Sequence, residues 1–151
     1  MSYEVPQVRP FLGEEEVDNL REVIETAWVS EGPYSAEFRE QIKNVTGSEY
    51  AVLAPNGTLS LYMGLLALGV GEGDEVIVPD FTYCSSATSV VYAGAKPVFA
   101  DVDPDTFQVD VDDVAANIST DTAAIMPVHV YGQAAEMDAL VDIAERNDVA
   151  I

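Results

Sequence analysis

Apolar positions along this chain change their period repeatedly. Between Glu14 and Trp28, Val17, Leu20, Ile24 and Ala27 recur at helical spacing while Glu15, Asp18, Glu22 and Glu25 fall on the other side, which predicts an amphipathic helix. Ser30-Glu31-Gly32-Pro33-Tyr34 breaks the pattern, and Ser35 is placed to cap a second helix ending at Gly47. From residue 50 onward, short apolar runs alternate with helical segments. Strands are expected at 50–54, 75–79, 97–101 and 122–128, and helices at 58–68, 85–93, 111–118 and 134–146. Gly69 stops the first of these helices, and Val149-Ala150-Ile151 reads as the opening of a further strand. Short apolar strands separated by helices predict parallel β-α-β units with the sheet covered on both faces. The expected fold class is α/β, a three-layer α/β/α arrangement around a mostly parallel sheet.

A buried parallel strand that stops after three residues leaves an edge and one face uncovered. The chain is therefore expected to be the N-terminal part of a longer protein. The alternative is that 149–151 forms a short edge strand closing a five-stranded sheet.

Composition adds a charge argument to this picture. The 151 residues are 48% apolar, enough for a real core, yet carry 27 Asp and Glu against 6 Lys and Arg, a net charge of −21. A disordered acidic chain would be poorer in apolar residues. The acids are spread over helix faces and loops, which suggests a host adapted to high salt, where self-repulsion is screened. The alternative is an acidic surface with no adaptive meaning. No basic stripe is present to meet a phosphate backbone, which disfavours direct nucleic-acid binding, and no nucleic-acid partner is expected. No run approaches the length of a membrane span, and Met1 to Pro6 lacks the basic and apolar regions of a signal peptide. A single cysteine, Cys84, agrees with a reducing compartment. A soluble cytoplasmic protein is expected.

Candidate chemistry gathers where predicted strands end. Asn56-Gly57-Thr58 lies at a strand-to-helix junction, where unpaired amides at the positive end of a helix attract anions, phosphate above all. The Thr58 hydroxyl adds a donor, although Gly and Thr also simply cap helices. Open α/β sheets bind ligands beyond the carboxyl ends of their strands. Asp80-Phe81-Thr82-Tyr83-Cys84 and His129-Val130-Tyr131-Gly132-Gln133 fall there too. A phosphate cradle beside aromatic planes suits a flat heteroaromatic phosphate ester.

Several ordered stretches carry a resemblance. They are Trp28-Val29-Ser30-Glu31-Gly32-Pro33, Asn56-Gly57-Thr58, the run from Leu65 to Pro79, Phe81-Thr82-Tyr83, Gly94 to Phe99, Asp101 to Thr106, and Pro127 to Gln133. In this order and spacing they resemble the start of the DegT/StrS-type nucleotide-sugar aminotransferases, pyridoxal-phosphate enzymes with the aspartate-aminotransferase fold. The resemblance covers nearly the whole chain. It implies an N-terminal helix and arm over residues 1–33, then an incomplete large cofactor-binding domain over 34–151. It implies that Gly57 and Thr58 bind the cofactor phosphate and that Tyr83 stacks on the pyridine ring; the alternative for Tyr83 is an ordinary core tyrosine. Leu59-Ser60 and Asp80 depart from the family pattern, where small apolar and small polar residues are commoner. Ser30 and Gly32 are implied to approach the sugar substrate, although Gly32-Pro33 is equally a plain turn.

Other residues read more plainly. His129, the only histidine, is expected to be structural or to line the cleft rather than to act as a base. Cys84 reads as a packed small residue with no neighbouring cation to activate it. Asp101, Asp103 and Asp105 lack the remaining ligands of a calcium loop, so Asp103-Pro104-Asp105 is expected to form a turn and no metal is expected.

The resemblance also implies an absence. Transamination uses a Schiff-base lysine that also shuttles a proton, together with a carboxylate on the pyridine nitrogen. Of the two lysines, Lys43 precedes the sheet and Lys96 opens a strand at the end away from the cleft. The family's lysine lies well beyond Ile151, and its aspartate belongs to the strand that Ile151 enters. No residue here is assigned either role. The intact protein is implied to be a homodimer that moves an amino group from glutamate or glutamine to a keto group on a nucleotide-activated sugar. This piece alone is expected to be inactive. Two alternatives stand: a lysine-free module that binds the pyridoxal or pyridoxamine cofactor, or a sugar dehydratase relative. Some such relatives replace the lysine by histidine, but His129 comes too early to serve.

Overall fold

The computed structural model describes residues 9–151, so the reading of Met1 to Pro6 lies outside the described residues. The chain divides between Leu53 and Ala54 into two compact units.

The first unit carries α1 (Glu14–Glu25) and α2 (Pro33–Thr46). At the start of α1, Glu16 Oε2 accepts the Gly13 amide at 2.6 Å. The helix ends three residues before the predicted Trp28. Thr26 donates its hydroxyl back to the Glu22 carbonyl at 2.8 Å, and Ala27 turns to a φ of 55°. Ser35 does not cap α2. Gly32 occupies that position and Pro33 fills the first turn, where its fixed φ suits a helix and its missing amide costs nothing. Gly47, at φ 72°, ends α2 as expected. The apolar stripe of α1, Val17, Leu20 and Ile24, is exposed among the described residues.

The predicted strand 50–54 does not form. No described strand runs beside it, and without a ladder an extended segment has nowhere to place its amides. Tyr50 and Val52 are exposed.

The second unit is an α/β layer structure. Its helices are α3 (Gly57–Ala67), α4 (Ser85–Tyr92), α5 (Val111–Asn117) and α6 (Met137–Asn147). Its strands are β1 (Glu75–Pro79), β2 (Lys96–Ala100) and β3 (Thr122–Ile125), all parallel in the order β2-β1-β3. β1 matches its predicted bounds, and its register with β2 runs from Glu75 opposite Lys96 to Pro79 opposite Ala100. Alternation along β1 divides the core. Val76 and Val78 pack with Leu65 of α3 and Val90 of α4, while Ile77 faces the other way, onto Val114 of α5 and Leu140 of α6. One sheet therefore holds two helical layers apart.

Two strand ends depart from expectation. β3 stops at Ile125 rather than 128: Met126 N still donates to Ile77 O at 2.8 Å, but Pro127 has no amide to continue the ladder. Residues 149–151 contribute a parallel bridge between Ala150 and Ala124 rather than a strand. Ahead of α6, which begins three residues later than predicted, Val130–Gly132 forms a 3₁₀ turn. No described helix is long and apolar enough to cross a membrane.

Candidate functional site

Asn56, rather than Gly57 or Thr58, is the cap of α3. Its backbone is extended and its Oδ1 accepts the Leu59 amide at 3.0 Å, while its carbonyl accepts from Ser60 N at 3.1 Å. This division of labour frees the first turn. The Gly57 and Thr58 amides and the Thr58 hydroxyl have no hydrogen-bond partner among the described residues. A Cβ added to Gly57 would meet nothing within 4 Å, so this turn is not crowded at Gly57. Unpaired amides at a helix N-terminus suit an anionic oxygen.

The turn after β1 presents Tyr83. Asp80 N extends the ladder to Ala100 O at 2.9 Å, and Ser86 N donates to Tyr83 O at 3.1 Å, leading into α4. Between these ends, the Thr82 and Ser86 hydroxyls meet at 3.0 Å. Within this chain Tyr83 is 76% exposed. α4, which the Tyr83 turn enters, packs against α3, where Tyr92 and Tyr62 make an edge contact with ring centroids 6.3 Å apart. Gly57, Thr58 and Tyr83 thus share one compact unit.

Cys84 corrects its reading. It is exposed at the start of α4 rather than packed, because its αR backbone precedes the buried Ser86, Ser89 and Val90 face. His129 Nδ1 accepts from Ala135 N at 3.1 Å, tying the turn after β3 to the approach of α6. Asp103 closes the turn expected of it. Its Oδ1 accepts the amides of Thr106 at 2.8 Å and Asp105 at 3.0 Å. The Thr106 backbone, then its side chain, hold the Asp103 carboxyl below the usual range, with the Asp105 amide adding to them against a partial loss of hydration. Among the described residues, no group of three or more His, Cys, Asp or Glu is placed to hold a metal ion. Lys43 pairs with Glu40, and Lys96, at the amino end of β2, pairs with Glu75 at 2.6 Å.

Ser30 and Gly32 belong to the first unit. They line a half-open cavity of about 380 Å³ with Val23, Trp28 and Tyr34. Trp28 Nε1 donates to Glu31 O at 2.7 Å, and Glu31 pairs with Arg39. Tyr34 donates to Glu22 at 2.9 Å, and this carboxylate bond, more than burial, raises the phenol's pKa.

Sequence reasoning missed Phe107 and Gln108. They sit where 101–110 folds back as a hairpin, closed by the Val102–Val109 bridge. The one signal for it was the Asp103-Pro104-Asp105-Thr106 turn chemistry.

The model of the DegT/DnrJ/EryC1/StrS aminotransferase family matches residues 10–151. GDP-perosamine synthase of Caulobacter vibrioides is 43% identical over 143 residues, covering 94% of this chain and 38% of that protein. Spr1654 from Streptococcus pneumoniae, solved in its pyridoxamine-phosphate form, superposes with a TM-score of 0.88 at 32% identity, over 95% of this chain and 36% of that one. NtdA from Bacillus subtilis, solved with bound pyridoxamine phosphate, gives 0.85 at 33% identity, over 90% of this chain and 31% of that one. The chain therefore spans well under half the length of these relatives.

Proposed function

Because this chain belongs to the DegT/DnrJ/EryC1/StrS aminotransferase family, we propose that it carries the phosphate-binding and ring-facing half of a pyridoxal-phosphate site in a longer sugar aminotransferase. The observation that carries this reading is the uncrowded, unpaired first turn of α3 in the same unit as exposed Tyr83. Those residues fit the cofactor's two ends. Gly57 and Thr58 amides and the Thr58 hydroxyl hold the phosphate, and Tyr83 covers one face of the ring. When bound, the cofactor supplies the electron sink for moving an amino group. Gly57, Thr58 and Tyr83 bind and orient; none of them moves a proton. Lys43 pairs with Glu40 and Lys96 with Glu75, and in this reading neither the Schiff-base role nor the pyridine-nitrogen role falls to a residue of these 151.

In this reading, residues 1–33 form an arm, 34–151 form part of the large domain, and Ser30 and Gly32 meet the sugar. The intact protein works in the cytoplasm as a homodimer. It transfers an amino group from glutamate or glutamine to a keto sugar nucleotide. GDP-perosamine synthase supports the nucleotide-sugar class.

The test is cofactor retention in the full-length protein. Thr58→Val removes one donor to a charged group and is expected to weaken pyridoxal-phosphate binding about tenfold or more, the equivalent of about 1.5–3 kcal/mol. Equilibrium dialysis with absorbance detection measures it. Unchanged retention in this variant would remove the Thr58 hydroxyl from the site.

A further inference from the structure

Three loops leave the carboxyl ends of the strands, and the one after β2 touches both of the others. Over 101–110 the chain folds back on itself: Asp110 N donates to Asp101 O and Asp103 N to Gln108 O, both at 2.9 Å. At the tip, Phe107 N donates to Asp103 O at 2.8 Å and Phe107 holds φ at 61°. That left-handed conformation is costly for a residue with a Cβ, and glycine would adopt it freely. Local strain of this kind persists where the surroundings impose it.

The ring lies against Phe81, with centroids 5.4 Å apart and planes inclined by 39°. Phe81 belongs to the turn after β1, two residues before Tyr83. The next residue of the hairpin, buried Gln108, donates through Nε2 to Thr106 O at 3.3 Å and to Val130 O at 3.4 Å. The hairpin is thus joined on one side to the Tyr83 turn and on the other to the turn after β3. The hydrogen bonds of the Tyr83 turn secure its two ends but leave Tyr83 itself exposed. Among the described residues, Phe107 supplies the aromatic packing for that turn.

We propose that Phe107 is a positioning residue: its ring, held on Phe81 by the strained hairpin tip, fixes the 80–84 turn so that Tyr83 presents its face to the cofactor ring. This role rests on the cofactor site proposed above. It acts through Tyr83 and does not require Phe107 to touch the cofactor.

Phe107→Gly tests this in the full-length protein, because glycine adopts the same left-handed backbone while the ring is removed, and Phe107→Tyr controls for the added backbone freedom. Hydrogen exchange followed by mass spectrometry is expected to speed up for residues 80–84 and to stay unchanged for 137–147. Pyridoxal-phosphate retention is expected to fall roughly two- to tenfold, the scale of one aromatic contact. Phe107→Tyr, which keeps a ring, should restore both. Added to Tyr83→Ala, Phe107→Gly should cause no further loss, because both act on one contact. Unchanged exchange at 80–84 overturns the proposal, and so do losses that multiply in the double variant. If Tyr83→Ala alone leaves retention intact, the cofactor-site reading fails, and this role fails with it even where exchange at 80–84 has quickened.

Discussion

Gly32 owes its identity to a neighbour four residues back. A Cβ at that position would lie 2.2 Å from Trp28 Cδ1 and 2.7 Å from Trp28 Nε1. The indole therefore rests where a side chain would stand, and from there it donates to the Glu31 carbonyl. Gly32→Ala is expected to push the ring aside and break that bond. Trp28 is the only tryptophan of these 151 residues, so emission from this chain reads the event at that ring. Gly64→Ala is the control, because its added methyl meets open space. Fluorescence spectra of the two variants should differ from each other, and matching spectra would refute the packing argument. Asn56 shows a second lesson at this scale. The triplet Asn56-Gly57-Thr58 was legible as a helix-opening turn, but only the geometry assigned capping to Asn56 and left the next two amides without partners among the described residues.

At the scale of elements, the amino end of the sheet is held by a polar junction. Glu75, at the start of β1, accepts from Lys96 of β2 at 2.6 Å and from Ser119, ahead of β3, at 2.8 Å. The Lys96 bond, then that of Ser119, lower the Glu75 carboxyl's pKa against partial desolvation, and the Glu75 bond raises that of Lys96. The signs bound a pH window. A lowered carboxylate pKa gives stability that is present above the unfolded value and is lost as pH falls through the folded one. A raised ammonium pKa gives stability that is present below the unfolded value and is lost as pH rises through the folded one. Glu75→Gln should flatten the acid side of a urea-denaturation series taken from about pH 6 down to about pH 3, where carboxylates titrate. A variant that loses stability on acidification as steeply as the parent would show that this junction contributes nothing. Element positions were largely legible here, since β1 needed only its run of apolar residues and its flanking turns. The ends were less so, because a proline at 127 and another at 33 act through backbone amides rather than through hydrophobic period.

For the whole molecule, a net charge of −21 sets the response to salt. Screening shortens from about 10 Å at 0.1 M to about 3 Å at 1 M, which weakens repulsion among dispersed carboxylates. The urea midpoint is expected to rise as potassium chloride goes from about 0.1 M to about 1 M. A midpoint that falls or stays level would argue against adaptation to high salt. The sequence by itself determined most of the alternation of strands and helices, the acidic charge, and which residue types the turns after the strands carry. Those properties follow from local period, charge and turn residues, each readable within a few positions. Tertiary structure decided the rest. It left 50–54 without a ladder, exposed Tyr83 and Cys84, tied His129 to Ala135, and brought Phe107 onto Phe81 across 26 residues of chain. Burial is non-directional and a strand is completed only by its neighbour, so partners distant in sequence are chosen by the packed fold.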